Sequence, residues 1–222
     1  MVKQPTPERH SWAVSTTEAR EIQNHLRGRV SQQIAPQLRK ARYVAGVDIS
    51  VKNDRARAAV VALALEDLSL VEVAHFEHRV PFPYVPGLLS FRECPSILAA
   101  FEKLSVEPDL LLVDGQGVAH PRRFGLASHL GLLLDLPSIG CAKSRYIGTH
   151  EEPGEEAGCY TDLLDGDELI GAVLRTRTNV KPLYISVGHK ITLPTALDFV
   201  LACGGGYRLP EPTRLAHQAA AL

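Results

Sequence analysis

Residues 109–117 read DLLLVDGQG, and this stretch decides the fold. Four apolar residues, Leu110–Val113, run unbroken between Pro108 and the pair Asp114-Gly115. A short apolar run bounded by turn residues marks a strand buried on both faces, as in the middle of an α/β sheet. Upstream, Tyr43–Ser50 (YVAGVDIS), Ala58–Leu65 and Leu68–Val80 read as three strands, and the short polar gap 51–57 makes the first pair a hairpin. After the Pro-rich turn Pro81–Gly87, a helix is expected to start close to Arg92–Pro95, with Pro95 tolerated in its first turn. Downstream, Leu126, Leu130, Leu133 and Leu134 mark a further helix, Ser138–Cys141 and Leu183–Val187 read as strands, and Thr192–Cys203 and Glu211–Ala221 read as closing helices. An N-terminal helix begins at the capping box Ser15–Glu18 and runs through Ile22, Leu26 and Val30. The order predicts a mixed α/β sheet flanked by helices.

The chain has 222 residues, 45% hydrophobic, which fits one domain over 1–222 with an ordinary core. A polar N-terminal arm (1–14) precedes it and lacks the apolar stretch of a secretory signal. Net charge is −1, so any nucleic-acid surface must be a local patch rather than a global field. Residues 151–170 hold eight acids and no Lys or Arg, and with Pro153, Gly154 and Gly158 read as an acidic surface loop. The four cysteines have no C-x-x-C spacing, which argues against zinc and fits a reducing cytoplasm. No apolar run is long enough to span a membrane.

Three acids stand where chemistry is expected. Asp48 interrupts the apolar first strand, Asp114 closes the central one, and Glu93 sits near the mouth of the helix between them. Each has a bland reading alone: a satisfied strand Asp, an Asp-Gly turn, a Glu complementing a helix dipole. Together, carboxylates on a first strand, a first helix and a fourth strand form the plan of a ribonuclease H-like nuclease. Oxygen-only ligands suit Mg2+ or Mn2+.

Five blocks make the match specific: VAGVDIS, PYVPGLLSFRE (83–93), VDGQGVAHPRRFGLASHLG (113–131), GCAKSR (140–145) and GYRLPEPTRLAH (206–217). In this order they resemble the endonuclease V family of nucleic-acid repair enzymes. The resemblance implies a ribonuclease H-like fold, Mg2+ dependence, recognition of deoxyinosine, and cleavage of the second phosphodiester bond 3′ to it. It implies Asp48 and Asp114 as metal ligands, Glu93 as the third acid, Lys143 near the scissile phosphate, and His217 beside the attacking water. His120 and His129 match histidines beside the metal site or the bound strand. Pro83-Tyr84-Val85-Pro86 matches a wedge, whose proline-flanked ring can enter a base stack at low entropic cost. Leu88 and Leu89 are expected to wall the pocket, and Gly115 and Gly117 to offer backbone groups to the extruded base. Many members carry His where Gln116 stands, and Gln cannot titrate. The expected partner is DNA containing deoxyinosine, with inosine-containing RNA, branched DNA and a non-catalytic binding module as alternatives, and the expected state is a monomer.

Overall fold

The computed structural model describes residues 10–52, 55–80 and 82–221. Most of the expected arm (1–9), residues 53–54, Pro81 and Leu222 lie outside the described residues. Strands β1 (Tyr43–Lys52), β2 (Arg55–Ala64) and β3 (Leu70–Arg79) form the expected antiparallel meander. The central strand β4 (Leu110–Val113) lies parallel to β1, and β5 (Ser138–Ala142) lies parallel to β4. β6 (Tyr160–Asp165), β7 (Glu168–Leu174) and β8 (Leu183–His189) extend the sheet antiparallel, giving the order β3-β2-β1-β4-β5-β8-β7-β6. This is the ribonuclease H-like plan anticipated from the sequence, a mixed sheet flanked by helices.

Parity along β4 explains its unbroken apolar run. Leu110 and Leu112 pack beneath α4 (Leu193–Ala202) and α5 (Glu211–Ala220), with Val44, Ile139, Val200 and Ala216. Leu111 and Val113 face α2 (Leu89–Phe101) and α3 (Leu126–Leu134), with Val47, Ile97, Phe101 and Leu130. All four β4 residues are fully buried, and each buried leucine contributes about 1.5–3 kcal/mol of transfer free energy. At Gly46 on β1, a Cβ would collide with the Pro212 carbonyl, so this glycine lets α5 lie directly on the strand.

Helix α1 (Thr16–Leu26) starts at the expected capping box: Glu18 N–H donates to Ser15 Oγ (3.3 Å), and Ser15 N–H donates to Glu18 Oε2 (2.7 Å). It ends at Leu26, before Val30, in a short 3-10 turn.

Two expectations need correction. The acidic stretch 151–170 is not all loop. It contains β6 and the start of β7, joined through Gly166 (φ +63°). Of its acids only Asp162 and Asp165 lie on the edge strand β6, both exposed, where charge discourages edge-to-edge pairing, while Leu163 and Ile170 turn into the core. Helix α2 also begins earlier than expected, at Leu89. Burial of Leu88 and Phe91 with Ala19 and Phe82 draws the first turn forward. Pro95 is therefore an interior residue of α2, and Glu93 lies one turn inside the helix rather than at its mouth.

Candidate active site

β1 and β4 run side by side with Val47 opposite Val113. The next residue on each strand is Asp48 and Asp114, so the two acids are neighbours by register. Alternation puts both on the face covered by α5, which carries His217 in its last turn. His217 Nδ1 is 2.7 Å from Asp48 Oδ2, and Lys143, just past β5, places Nζ 2.5 Å from Asp114 Oδ2. Glu93 reaches the same end of the sheet from α2. Burial, reinforced by the charges of Asp48 and Asp114, pushes its carboxyl up to about 8. Burial also raises Asp114, with Lys143 pulling the other way.

As the side chains stand, no three His, Cys, Asp or Glu donors among the described residues converge to hold a metal ion. Asp48 and Asp114 are each engaged by a basic side chain instead. The donor chemistry nevertheless fits a hard divalent cation. Three carboxylates share one half-buried region, and their mutual repulsion is what a bound cation relieves.

Beside this cluster opens a cavity of about 400 Å3. Asp114, Gly115 and Gln116 form one wall, Lys143 to Tyr146 another, and Tyr84, Pro86 and Leu89 the rim. Tyr84 is 70% exposed. Val85 to Leu88 form a turn closed by Leu88 N–H to the Val85 carbonyl (2.9 Å), with Pro86 at its second position and Gly87 (φ +79°) at its third. This is the proline–glycine pattern of a type II turn. His120 lines the cavity, buried, with its ring 5.6 Å from that of Tyr146. Its Nδ1 accepts from Arg122 N–H (3.1 Å), so Nε2 carries the proton and donates to the Gly87 carbonyl (3.1 Å). Burial first, then Arg122, holds His120 down at about 4, so it is neutral at pH 7. It belongs to the base-sized cavity rather than to the carboxylate cluster.

Several expected residues lie elsewhere. His129 is fully buried among Trp12, Phe91 and Phe124; its Nδ1 bonds Ser90 Oγ (2.9 Å) and its Nε2 bonds His10 Nε2 (2.8 Å). It fastens residues 10–12 to α2 and does not reach the cavity. Gly117 does not line the cavity: its N–H donates to Ser186 Oγ (2.9 Å) and its carbonyl accepts from Gly125 N–H (2.9 Å). A side chain there would strike the Val187 carbonyl. Its glycine is needed for close packing on β8. Leu88 turns inward to Phe82 and Phe91, leaving Leu89 alone on the rim. Pro83 is exposed beside the cavity rather than in it.

Sequence reasoning passed over four contributors, of which only Arg122 lies inside a matched block. Tyr146 follows the matched block GCAKSR directly. Ser186 sits in an apolar strand, and Gln23 and Arg122 meet only through tertiary folding. Gln116, the departure from the family pattern, supports the cavity wall, where its Nε2 donates to the Ser144 carbonyl (3.0 Å). Arg208 braces the same loop from behind, donating to the Lys143 carbonyl (2.6 Å).

A ribonuclease H-like sheet with acids paired across β1 and β4, and a lysine beside them, defines a class of phosphodiester-cutting nucleases. Within it, this chain belongs to the Endonuclease V family, whose model matches residues 24–218. It is an endonuclease, a hydrolase. Endonuclease V of Roseiflexus sp. (strain RS-1) is 53% identical over 205 residues, 92% of this chain and 91% of that protein. The solved structure of Endonuclease V from Streptomyces avermitilis is 44% identical with TM-score 0.88, covering 95% of this chain and 93% of that one. Endonuclease V of Ciona intestinalis, solved in complex with a 24mer DNA containing an inosine followed by a ribo-adenosine, is 28% identical with TM-score 0.81, covering 92% and 95%. Among the described residues no helix is long and apolar enough to cross a membrane.

Proposed function

We propose that this endonuclease recognises hypoxanthine in DNA and hydrolyses the second phosphodiester bond 3′ to it. The observation that carries the reading is the cavity rimmed by Tyr84 and Leu89, which opens directly beside Asp114 and Lys143. The Ciona relative's complex with inosine-containing DNA supports the substrate class. Extruding a base costs a few kcal/mol, least where it is mispaired, and a Tyr84 ring entering the stack offsets part of that cost.

Asp48, Glu93 and Asp114 would hold Mg2+, or Mn2+ in its place. Such an ion supplies charge neutralisation at the phosphate and activation of the attacking water. The residues of the chain do the rest. The Nζ of Lys143 stands beside Asp114, where it meets the negative charge of the scissile phosphate. His217 Nδ1 is held against Asp48 Oδ2, which leaves Nε2 to help position the attacking water. Neutral His120 and the Gly115 backbone line the base site, where a charged group would favour no neutral purine.

Matched strands carrying deoxyinosine or deoxyadenosine test the reading, with Mg2+, Mn2+ and Ca2+ compared and product ends mapped. Nicks in the inosine strand alone, one nucleotide beyond its 3′ neighbouring bond, support it. Equal cutting of both strands, or none, contradicts it. The ribo-adenosine in the Ciona substrate makes an inosine-containing RNA strand the second substrate to try.

A further inference from the structure

The segment that displays Tyr84 is held at both ends by side chains from elsewhere in the fold. At one end Arg92 Nη1 donates to the Phe82 carbonyl (2.9 Å), and Phe82 itself is buried against Phe91. At the other end the Gly87 carbonyl accepts from three donors: Gln23 Nε2 (3.0 Å), Arg122 Nη2 (2.6 Å) and His120 Nε2 (3.1 Å). Three donors, from α1, from His120 and from Arg122, converge on this one carbonyl oxygen and must share its two lone pairs, which ties the turn to two separate parts of the fold. Between the anchors Pro83, Tyr84 and Pro86 are exposed while Val85 packs on the cluster around Phe82, and the two prolines limit the backbone.

Gln23 is the member of this group with no evident business in a surface helix. It is 1% exposed on α1, whose other buried residues are Ala19 and Leu26. Its amide donates to the Gly87 carbonyl and to the Phe124 carbonyl (3.1 Å), and its Oε1 accepts from Arg122 Nε (2.5 Å). Burying an amide is costly unless its polar atoms are satisfied, and here both donors and the acceptor are. Although it backs the cavity wall, its amide has no donor left for a ligand. Gln23 therefore acts through its neighbours: it orients the Arg122 fork and, with it, fixes the Gly87 turn.

We propose that Gln23 is a positioning residue for strand separation, holding the Gly87 turn so that Tyr84 stands raised for entry into a duplex. The inference rests on the wedge reading of Tyr84 given above. A raised ring matters only when a base must be drawn from a stack. An unpaired strand delivers its base without it. The consequence of losing Gln23 is thus a selective one.

The test compares Gln23→Met, which keeps length and apolar bulk but removes the amide, with Tyr84→Ala and the unaltered protein. Each is assayed on the same inosine-containing strand, once annealed and once single. Losing hydrogen bonds of this kind should raise KM on the duplex about tenfold more than KM on the single strand, with kcat changed alike on the two substrates. Equal loss on both substrates would mean a merely structural role and would overturn the proposal, as would no change on either. If Tyr84→Ala shows no duplex-selective loss, the wedge reading itself fails. If Tyr84→Ala shows it and Gln23→Met does not, only the Gln23 inference fails. Should Gln23→Met not fold, Arg122→Lys removes the fork onto Gly87 while keeping the charge. The same duplex-selective rise in KM supports the proposal there, and a uniform loss overturns it.

Discussion

Lys143 Nζ stands 2.5 Å from Asp114 Oδ2, where β4 has just ended and the cavity begins. The lysine side chain is 40% exposed, so the pair contributes no more than about 1 kcal/mol to stability. Its value lies in placing a cation where phosphate charge must be met. Lys143→Ala is expected to lower kcat about 10²–10³-fold, the scale of losing one donor to a developing charge, with the melting temperature unchanged. Single-turnover cleavage checks this. A rise in KM alone would make Lys143 a binding residue only.

Tyr84→Ala should reduce affinity for an inosine-containing duplex by about 10–100-fold, the worth of one aromatic–base stack. Single-turnover chemistry on a saturated unpaired strand should stay near the unaltered rate. Unchanged affinity for the duplex in a binding titration would remove Tyr84 from strand separation.

Gly46 sets the distance between β1 and α5, and hence between Asp48 and His217. Gly46→Ala must push the Pro212 carbonyl away, at a cost of about 1–3 kcal/mol for overpacking. A lower melting temperature together with lower kcat is expected. A stable, fully active variant would show that α5 can shift without disturbing the His217–Asp48 pair.

His189 lies outside the site and reports on acid stability. It is buried, and its Nδ1 accepts from Ser31 N–H (3.2 Å). Burial first, then Lys190, holds it down at about 4, below the ordinary value of 6.5. The unfolded chain therefore takes up a proton that the folded chain refuses. This stability is fully present above about pH 6.5 and is lost as pH falls toward 4, on the order of 3 kcal/mol by linkage. His120 behaves the same way, whereas Glu93, pushed up to about 8, runs in the opposite direction. Urea unfolding of the unaltered protein and His189→Gln isolates the group. The variant should lose less stability between pH 6.5 and 4. Parallel curves would contradict a neutral buried His189.

What could be read in the sequence, and what could not, divides along physical lines. The central sheet was legible because Leu110–Val113 is buried on both faces, and such a strand has no polar side to blur its pattern. Asp48 and Asp114 were legible as a pair because adjacent parallel strands bring corresponding ends together. The β6–β7 hairpin was hidden by composition: acids on an edge strand look like loop, and only the Asp165-Gly166 turn betrayed it. His129 and Gly117 matched the family's blocks but serve packing, since block similarity does not separate a residue that touches substrate from one that supports the wall. Gln23 had no sequence signal at all. Its partners are the carbonyls of Gly87 and Phe124, about 64 and 101 residues away, and backbone carbonyls leave no mark in a sequence.

The most direct measurement is cleavage of an inosine-containing duplex in Mg2+ by Asp48→Ala and Asp114→Ala, with folding checked by thermal melting. Both variants are expected to melt close to the unaltered protein, and neither to cut above background. Nicking at the unaltered rate by either one would mean that the paired acids of β1 and β4 are not the centre of the chemistry.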